Sequence, residues 1–302
     1  MKQCLITGSS GLIGSHLVEQ LQPNWEIFCV ERTAHKVARL AQNVQSLTFD
    51  LAQTWDASLL PPKIDAVIHL AQSEHFRDFP EKAEHVFQVN TVSTLRLLDY
   101  ARRAGAHTFI LASSGGIYGH GDQEFSEDIE VSSQGDLGFY LGTKLCAEIV
   151  AENYTAFMNV IVLRFFFVYG VGQRRTMLIP RLVQSVLDGR PIVLHGQDGI
   201  RINPTYVADA VTAIEAGLAL EGSHKINIGG PEVLTMRQIG EMIGQAVGKT
   251  PRFDVQTGVE PRHLVGDIRK MVQLLGTPQV KLSDGIERLL VYQANNSTIP
   301  AS

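Results

Sequence analysis

Gln3-Cys4-Leu5-Ile6-Thr7-Gly8-Ser9-Ser10-Gly11-Leu12-Ile13-Gly14 is the stretch that decides how this 302-residue chain folds. An apolar run of strand length, Gln3 to Thr7, meets glycines at every third position, and Leu12 to Leu21 then repeats apolar residues at the helical spacing of three and four. Gly8 permits a tight turn, Gly11 lets the backbone approach a diphosphate, and Gly14 lets the helix pack on the strand. The phosphates would sit at the helix N-terminus, beside Leu12 and Ile13, where free N–H groups and the helix dipole favour an anion. Strand, glycine loop and helix in this order predict a dinucleotide site.

Outward from that stretch the same alternation continues. Glu26 to Val30, Ser46 to Phe49, Ala66 to Leu70, Thr108 to Ala112 and Asn159 to Leu163 read as strands, separated by helical patterns over His35 to Gln42, Glu81 to Ala104 and Phe139 to Phe157. Continuous apolar strands imply burial on both faces, hence a parallel sheet between helix layers: a doubly wound α/β fold. After about Gly170 helices dominate, with Ile192 to Leu194 and Lys225 to Ile228 as short segments that either return to the main sheet or start a small one. The expected organisation is a nucleotide-binding domain over 1–170 and a smaller α/β substrate lobe over 171–292, some of whose segments return to the first domain. A polar tail without periodicity over 293–302 is expected to fray.

Glu31 ends the second strand, where an acid binds adenosine ribose hydroxyls and selects NAD. Arg32 follows at once and suits a 2′-phosphate, so NADP stays open. Asp50-Leu51 closes the third strand and Leu70-Ala71-Gln72 the fourth, both at the carboxyl edge of the sheet, where ligands of such folds bind.

Charged residues make up only 19% of the chain and the net charge is −5, which supplies no basic field for nucleic acid or anionic membrane. No apolar stretch reaches the length of a membrane span, and the glycine-broken start does not read as a signal peptide, so a cytosolic protein is expected. Cys4, Cys29 and Cys146 are isolated and without metal-ligand spacing, and read as reduced core residues. His69, on a buried strand, reads as a packed core residue, and Arg102-Arg103, before Gly105, as cations complementing a helix C-terminus.

Tyr140-Leu141-Gly142-Thr143-Lys144 places a phenol and an amine one helical turn apart, on one face. A lysine ammonium and a positive nicotinamide both favour phenolate, so that the tyrosine can take a proton from a sugar hydroxyl as hydride leaves. Ser113-Ser114-Gly115-Gly116-Ile117-Tyr118-Gly119, at the end of a strand, offers a hydroxyl to the same oxygen.

Taken together these motifs make the chain resemble the extended short-chain dehydrogenase/reductase family, the NAD-dependent epimerases and dehydratases of nucleotide sugars, from Met1 to about Leu290. TGSSGLIG matches TGxxGxxG, and VIHLAQ matches VxHLAA with Gln72 for the last alanine. Asn90 falls where the family keeps an asparagine, SSGGIYG matches SSxxVYG, YLGTK matches YxxxK, and LRFFFVYGVGQ matches LRxxNVYGPGQ. The late INIGG and LLGTP match as well. The resemblance implies a Rossmann domain, Ser114, Tyr140 and Lys144 as catalytic trio, Asn90 and Phe166 at the cofactor, and a homodimer built on paired helices.

Departures narrow the activity. Dehydratases of the family carry an Asp-Glu pair where this chain has Gly115 and Gly116, so dehydration is not expected and the glycines imply room for a sugar ring. Phe167 replaces an asparagine that touches the substrate diphosphate, and the Arg-Asp of a later motif reads Ile202-Asn203 with Arg201 displaced by one. Arg174, Arg175, Arg201 and Arg262 are candidates for the diphosphate, Arg201 foremost. The expected function is an NAD-dependent nucleotide-sugar 4-epimerase; an NAD(P)H-dependent 4-keto-sugar reductase and a non-catalytic dinucleotide sensor are the alternatives.

Overall fold

The structure is a computed structural model that describes residues 1–33, 42–131 and 137–296. In chain order β1 (Lys2–Thr7) leads into α1 (Leu12–Leu21), β2 (Trp25–Glu31), β3 (Val44–Thr48) and β4 (Ala66–His69). Then come α2 (Ala83–Phe87), α3 (Ser93–Ala104), β5 (Thr108–Ser114), the short β6 (Glu124–Phe125), α4 (Gly138–Glu152) and β7 (Asn159–Phe165). α5 (Leu178–Leu187), β8 (Ile192–His195), β9 (Arg201–Ile202), α6 (Val207–Gly217) and β10 (His224–Ile228) follow. The chain closes with β11 (Leu234–Thr235), α7 (Met236–Val247), β12 (Phe253–Gln256), β13 (Val265–Gly266), α8 (Arg269–Leu274) and α9 (Leu282–Asn296). The helix expected over His35 to Gln42 lies, but for Gln42, outside the described residues.

Seven strands form one helix-flanked sheet in the order β10-β7-β5-β4-β1-β2-β3. β1 pairs in parallel with β2 on one side and β4 on the other, so the winding direction reverses beside Thr7 and opens a crevice at the carboxyl ends of those strands. Leu5, Val67 and Phe109, on three adjacent strands, are fully buried, which is why these runs carry no polar alternation. Of the cysteines expected in the core, the structure buries Cys4 and Cys29 but leaves Cys146 exposed. Every strand expected in the first half is present. Lys225 to Ile228 joins the main sheet as its edge, while Ile192 to Leu194 starts a separate pair, β8 with β12.

The single helix expected over Glu81 to Ala104 is interrupted. Between α2 and α3 lies one wide π turn, Gln88–Val92. Its neighbouring hydroxyls occupy main-chain carbonyls, Ser93 Oγ donating to Val89 O and Thr94 Oγ1 to Asn90 O at 2.8 Å, which satisfies groups that a widened turn loosens. α3 ends at Gly105 in the left-handed region, φ 78°, and Arg102 and Arg103 of its last turn pair with Asp99.

The chain folds as two units. Met1–Gly119, Glu130–Arg164 and Val211–Ile226 make the first, and His120–Ile129, Phe165–Ala210 and Asn227–Ser302 the second. In the second, α5 buries Ile179, Leu182, Val183 and Val186 along one face, and α7 starts on a capping box between Thr235 and Gln238. Asn203, fully enclosed, exchanges two hydrogen bonds with the backbone of Gly266, at 2.9 and 3.0 Å. α9 runs through Asn296, so the expected fraying does not begin at Gln293; residues 297–302 lie outside the described residues. Among the described residues no helix is long and apolar enough to cross a membrane.

Candidate active site

The glycine loop is built as a cradle. Gly8 adopts φ +73°, and a Cβ on it would stand 2.8 Å from Ala71 N; a Cβ on Gly14 would stand 2.1 Å from Gly8 O, so the helix presses on the loop's own turn. Gly11, the N-cap of α1, would meet only Gly8 O, at 3.1 Å. No side chain caps this helix and its first turn carries no acid, leaving Leu12, Ile13 and Gly14 at an uncompensated positive helix end. Thr7 Oγ1 accepts from Ala71 N at 3.2 Å, which fastens Leu70 and Ala71 beside the loop.

Glu31 is buried at the end of β2, where Ser9 of the loop donates to its carboxylate at 3.2 Å. Arg32 turns away to an ion pair with Glu74. Asp50 makes a local turn, accepting from Ala52 N at 2.9 Å, and Leu51 packs at the margin of the apolar core. Asn90 is buried with both ends of its amide used, Oδ1 accepting from Ser73 N at 2.9 Å and Nδ2 donating to Thr143 Oγ1 at 3.0 Å. Through these two bonds Asn90 fastens the π turn to α4 and to the segment after β4.

α4 carries Tyr140 and Lys144 on one face, as their spacing requires. Lys144 is buried and donates to Ala112 O of β5 at 2.9 Å, two residues before Ser114. Burial lowers its ammonium from the ordinary 10.5 to about 8, against the opposing pull of Glu148. Tyr140 is half-buried, donates to Gln72 Oε1 at 2.9 Å, and its phenol is pushed up to about 12 by burial. The lowered phenol expected from Lys144 and a nicotinamide is thus not a property of the chain alone, because here burial dominates. Ser114 ends β5 and its hydroxyl accepts from Gly116 N at 3.1 Å.

Gly116 does not leave the room that two adjacent glycines imply. A Cβ there would lie 2.9 Å from Leu141 Cδ2 and 3.3 Å from Ser114 Oγ, so the turn is filled by the residue next to Tyr140. This contact seats the serine turn against the helix of the tyrosine. His69 is a packed core histidine, with Thr7 Oγ1 at 2.6 Å from one ring nitrogen and Ser93 Oγ at 3.2 Å from the other; burial and Lys144 hold its pKa down to about 3.

Behind the trio lies a buried polar network that spacing alone does not reveal. Glu148, one turn beyond Lys144, accepts from Arg164 Nη2 at 2.7 Å and from Ser113 Oγ. Arg164 also donates to the Tyr118 hydroxyl at 2.6 Å and lies over its ring at 4.8 Å. Neighbours of the proposed catalytic residues in sequence, 113, 118 and 148, are thereby tied together.

Lys144 makes stability depend on pH with a definite sign. Its folded pKa lies below its unfolded one, so between about pH 8 and 10.5 the unfolded chain binds more protons and stability from this group rises with pH. Tyr140, raised, reverses the trend above pH 10. Thermal unfolding measured at intervals from pH 7.5 to 9.5 should rise less steeply, or fall more, in Lys144→Met than in the native protein.

The remaining sequence candidates lie in the second unit. Phe166 is 1% exposed, with its ring against Gly266. Arg174, Arg175 and Arg262 are exposed. Arg201 Nη2 donates to Asp122 O at 2.7 Å, one of the five N–H groups a guanidinium offers. Phe167 has φ +45°, the one positive φ on a non-glycine among the described residues. A bulky side chain there costs about 1 to 2 kcal/mol, whereas asparagine tolerates the region. Phe167→Asn should raise stability by about 1 kcal/mol, read as a higher unfolding temperature, and an unchanged or lower one would refute the strain.

A switch-point crevice with a glycine cradle at β1 and a Tyr/Lys pair on the helix beside β5 defines a short-chain dehydrogenase-like enzyme. The model of the NAD dependent epimerase/dehydratase family matches residues 4–229, and the chain belongs to that family. A UDP-glucuronate 4-epimerase of Thermodesulfobacterium geofontis is 28% identical over 239 residues, 77% of this chain and 73% of that protein. An uncharacterized UDP-glucose epimerase of Bacillus subtilis is 28% identical across 95% of this chain and 96% of its own length. Among solved structures, UDP-glucuronic acid 4-epimerase from Bacillus cereus in complex with NAD superposes with a TM-score of 0.86 at 28% identity, covering 99% of each chain.

Proposed function

We propose that the chain is an NAD-dependent 4-epimerase of UDP-sugars. The observation that carries this reading is that Tyr140 and Lys144 share one face of α4, which Lys144 ties to Ala112 of β5, the strand that ends at Ser114, with no carboxyl at 115 and 116 to remove water. The 4-epimerase activities of the Bacillus cereus and Thermodesulfobacterium geofontis proteins support it.

The residues at the crevice fit a dinucleotide. The cradle at Gly8, Gly11 and Gly14 would take the diphosphate, and Glu31 would face the adenosine ribose. A dinucleotide held there would supply reversible hydride transfer at sugar carbon 4. Tyr140 takes the proton of the carbon-4 hydroxyl and gives it back, Ser114 holds that oxygen, and Lys144 favours the phenolate by its charge. Arg201 is the proposed diphosphate ligand, with Arg174 and Arg262 beside it in that role. The pairing of Arg32 with Glu74 supports the reading of NAD over NADP.

Incubating the protein with NAD and either UDP-glucose or UDP-glucuronate, and following the anomeric protons by NMR, tests the reading. The 4-epimer should appear without net reduction of NAD. Absence of any epimer from both sugars in folded protein, or stoichiometric consumption of NADPH on a 4-keto sugar, would overturn it.

A homodimer is part of the proposal. Leu95 of α3 and Ile149 of α4 are 46% and 54% exposed, apolar positions a partner would cover. Light scattering should give twice the chain mass at micromolar concentration.

A further inference from the structure

Gln72 ends the VIHLAQ stretch where the family pattern has alanine, and its carboxamide is the hydrogen-bond partner of the Tyr140 phenol, at 2.9 Å. Alanine offers no group there. From the same loop the Phe76 ring lies 5.3 Å from the Tyr140 ring, so the segment after β4 holds the phenol at both its hydroxyl and its face. Gln72 itself is exposed, and its amide is the part that engages the site.

We infer that Gln72 is a positioning residue for Tyr140 that serves both of its protonation states. Oε1 accepts from the neutral phenol, as the structure has it. Half a turn of the carboxamide presents Nε2–H to the phenolate instead, a partner that neither an alanine nor a carboxylate supplies. Gln72 gains and loses no proton in this; the proton moves between the substrate oxygen and Tyr140 Oη, and the amide reorients to follow it. The inference rests on the acid–base role proposed for Tyr140. The titratable groups on the elements packed around that phenol are Lys144 and Glu148 on α4, His69 at the end of β4, and Glu74 and His75 on the loop. Of these, Glu74 is engaged by Arg32, His75 bonds Asp78 at 2.9 Å, and Glu148 pairs with Arg164.

The test is an ultraviolet titration of the Tyr140 phenolate in the purified full-length protein with NAD, taken as the difference from Tyr140→Phe in each background. Gln72→Glu, which can only accept and carries like charge, should raise the Tyr140 titration by about one pH unit and lower turnover about tenfold at neutral pH, with KM within about twofold. Gln72→Ala should lower kcat about three- to tenfold, again at constant KM. A titration in Gln72→Glu that coincides with the native one, or an effect of Gln72→Ala confined to KM, would overturn the inference. The titration needs no sugar, so it reports on Gln72 even if the epimerase reading fails.

Discussion

Tyr140→Phe should lower epimerase turnover by about three orders of magnitude while leaving fold and NAD affinity nearly unchanged, because the hydroxyl is the only atom lost. The size of the effect follows from what the phenol must overcome. Burial holds it at about 12, some five units above working pH, and at about 1.4 kcal/mol per unit that gap is on the order of 7 kcal/mol. One unit charge at about 4 Å supplies about 4 kcal/mol at an intermediate dielectric, so a single cation falls short and two suffice. In the proposed reaction Lys144 would be one and the nicotinamide of a bound NAD the other. Lys144→Met should therefore cost turnover on a similar scale and shift the acid limb of the pH profile, where the phenol must lose its proton, to higher pH. Steady-state kinetics with cofactor in excess measure both variants, and a Tyr140→Phe enzyme keeping a tenth of native turnover would remove Tyr140 from the acid–base role.

Glu148→Ala should destabilise the protein by about 3 to 5 kcal/mol, because it strands a buried guanidinium. The two side chains are only 4% and 1% exposed, and the carboxylate serves Arg164 and Ser113 at once. Removing one partner is far worse than removing both: Glu148→Met with Arg164→Leu should recover part of the loss, since neither charge then stays buried alone. Denaturant midpoints of the two single variants and the double one decide the matter. A Glu148→Ala loss under about 1 kcal/mol would mean that water reaches the pair. Since Glu148 also opposes the lowering of Lys144, Glu148→Gln should move the Lys144 ammonium further down and pull activity with it, separating its electrostatic effect from the cavity that alanine leaves.

Much of this site is legible in the amino-acid sequence alone. Gly8, Gly11 and Gly14 lie in one turn, and Tyr140 and Lys144 one turn of helix apart, so their geometry follows from local backbone rules acting over a few residues. The strands of the first half can be read because burial on both faces leaves an uninterrupted apolar run. The π turn at Gln88–Val92 escapes such a reading because its hydroxyl pattern is compatible with an ordinary helix. Asn90 matches the family's pattern, but only its contacts with Ser73 and Thr143 define its job. Phe166 reads as a ligand-facing ring and packs inside.

What the sequence determined by itself is the winding of the sheet, the place of the crevice and the shared helix face of Tyr140 and Lys144, all consequences of period and spacing. What the tertiary structure decided is which groups meet across long separations: Gln72 with Tyr140, Glu148 with Arg164, Arg32 with Glu74, Leu141 in the space at Gly116. Those pairings set the surroundings of the Tyr140 phenol, of Arg32 and of the turn at Gly116. They depend on distances fixed only when strands and helices from different parts of the chain are packed together, and no local pattern encodes such a distance.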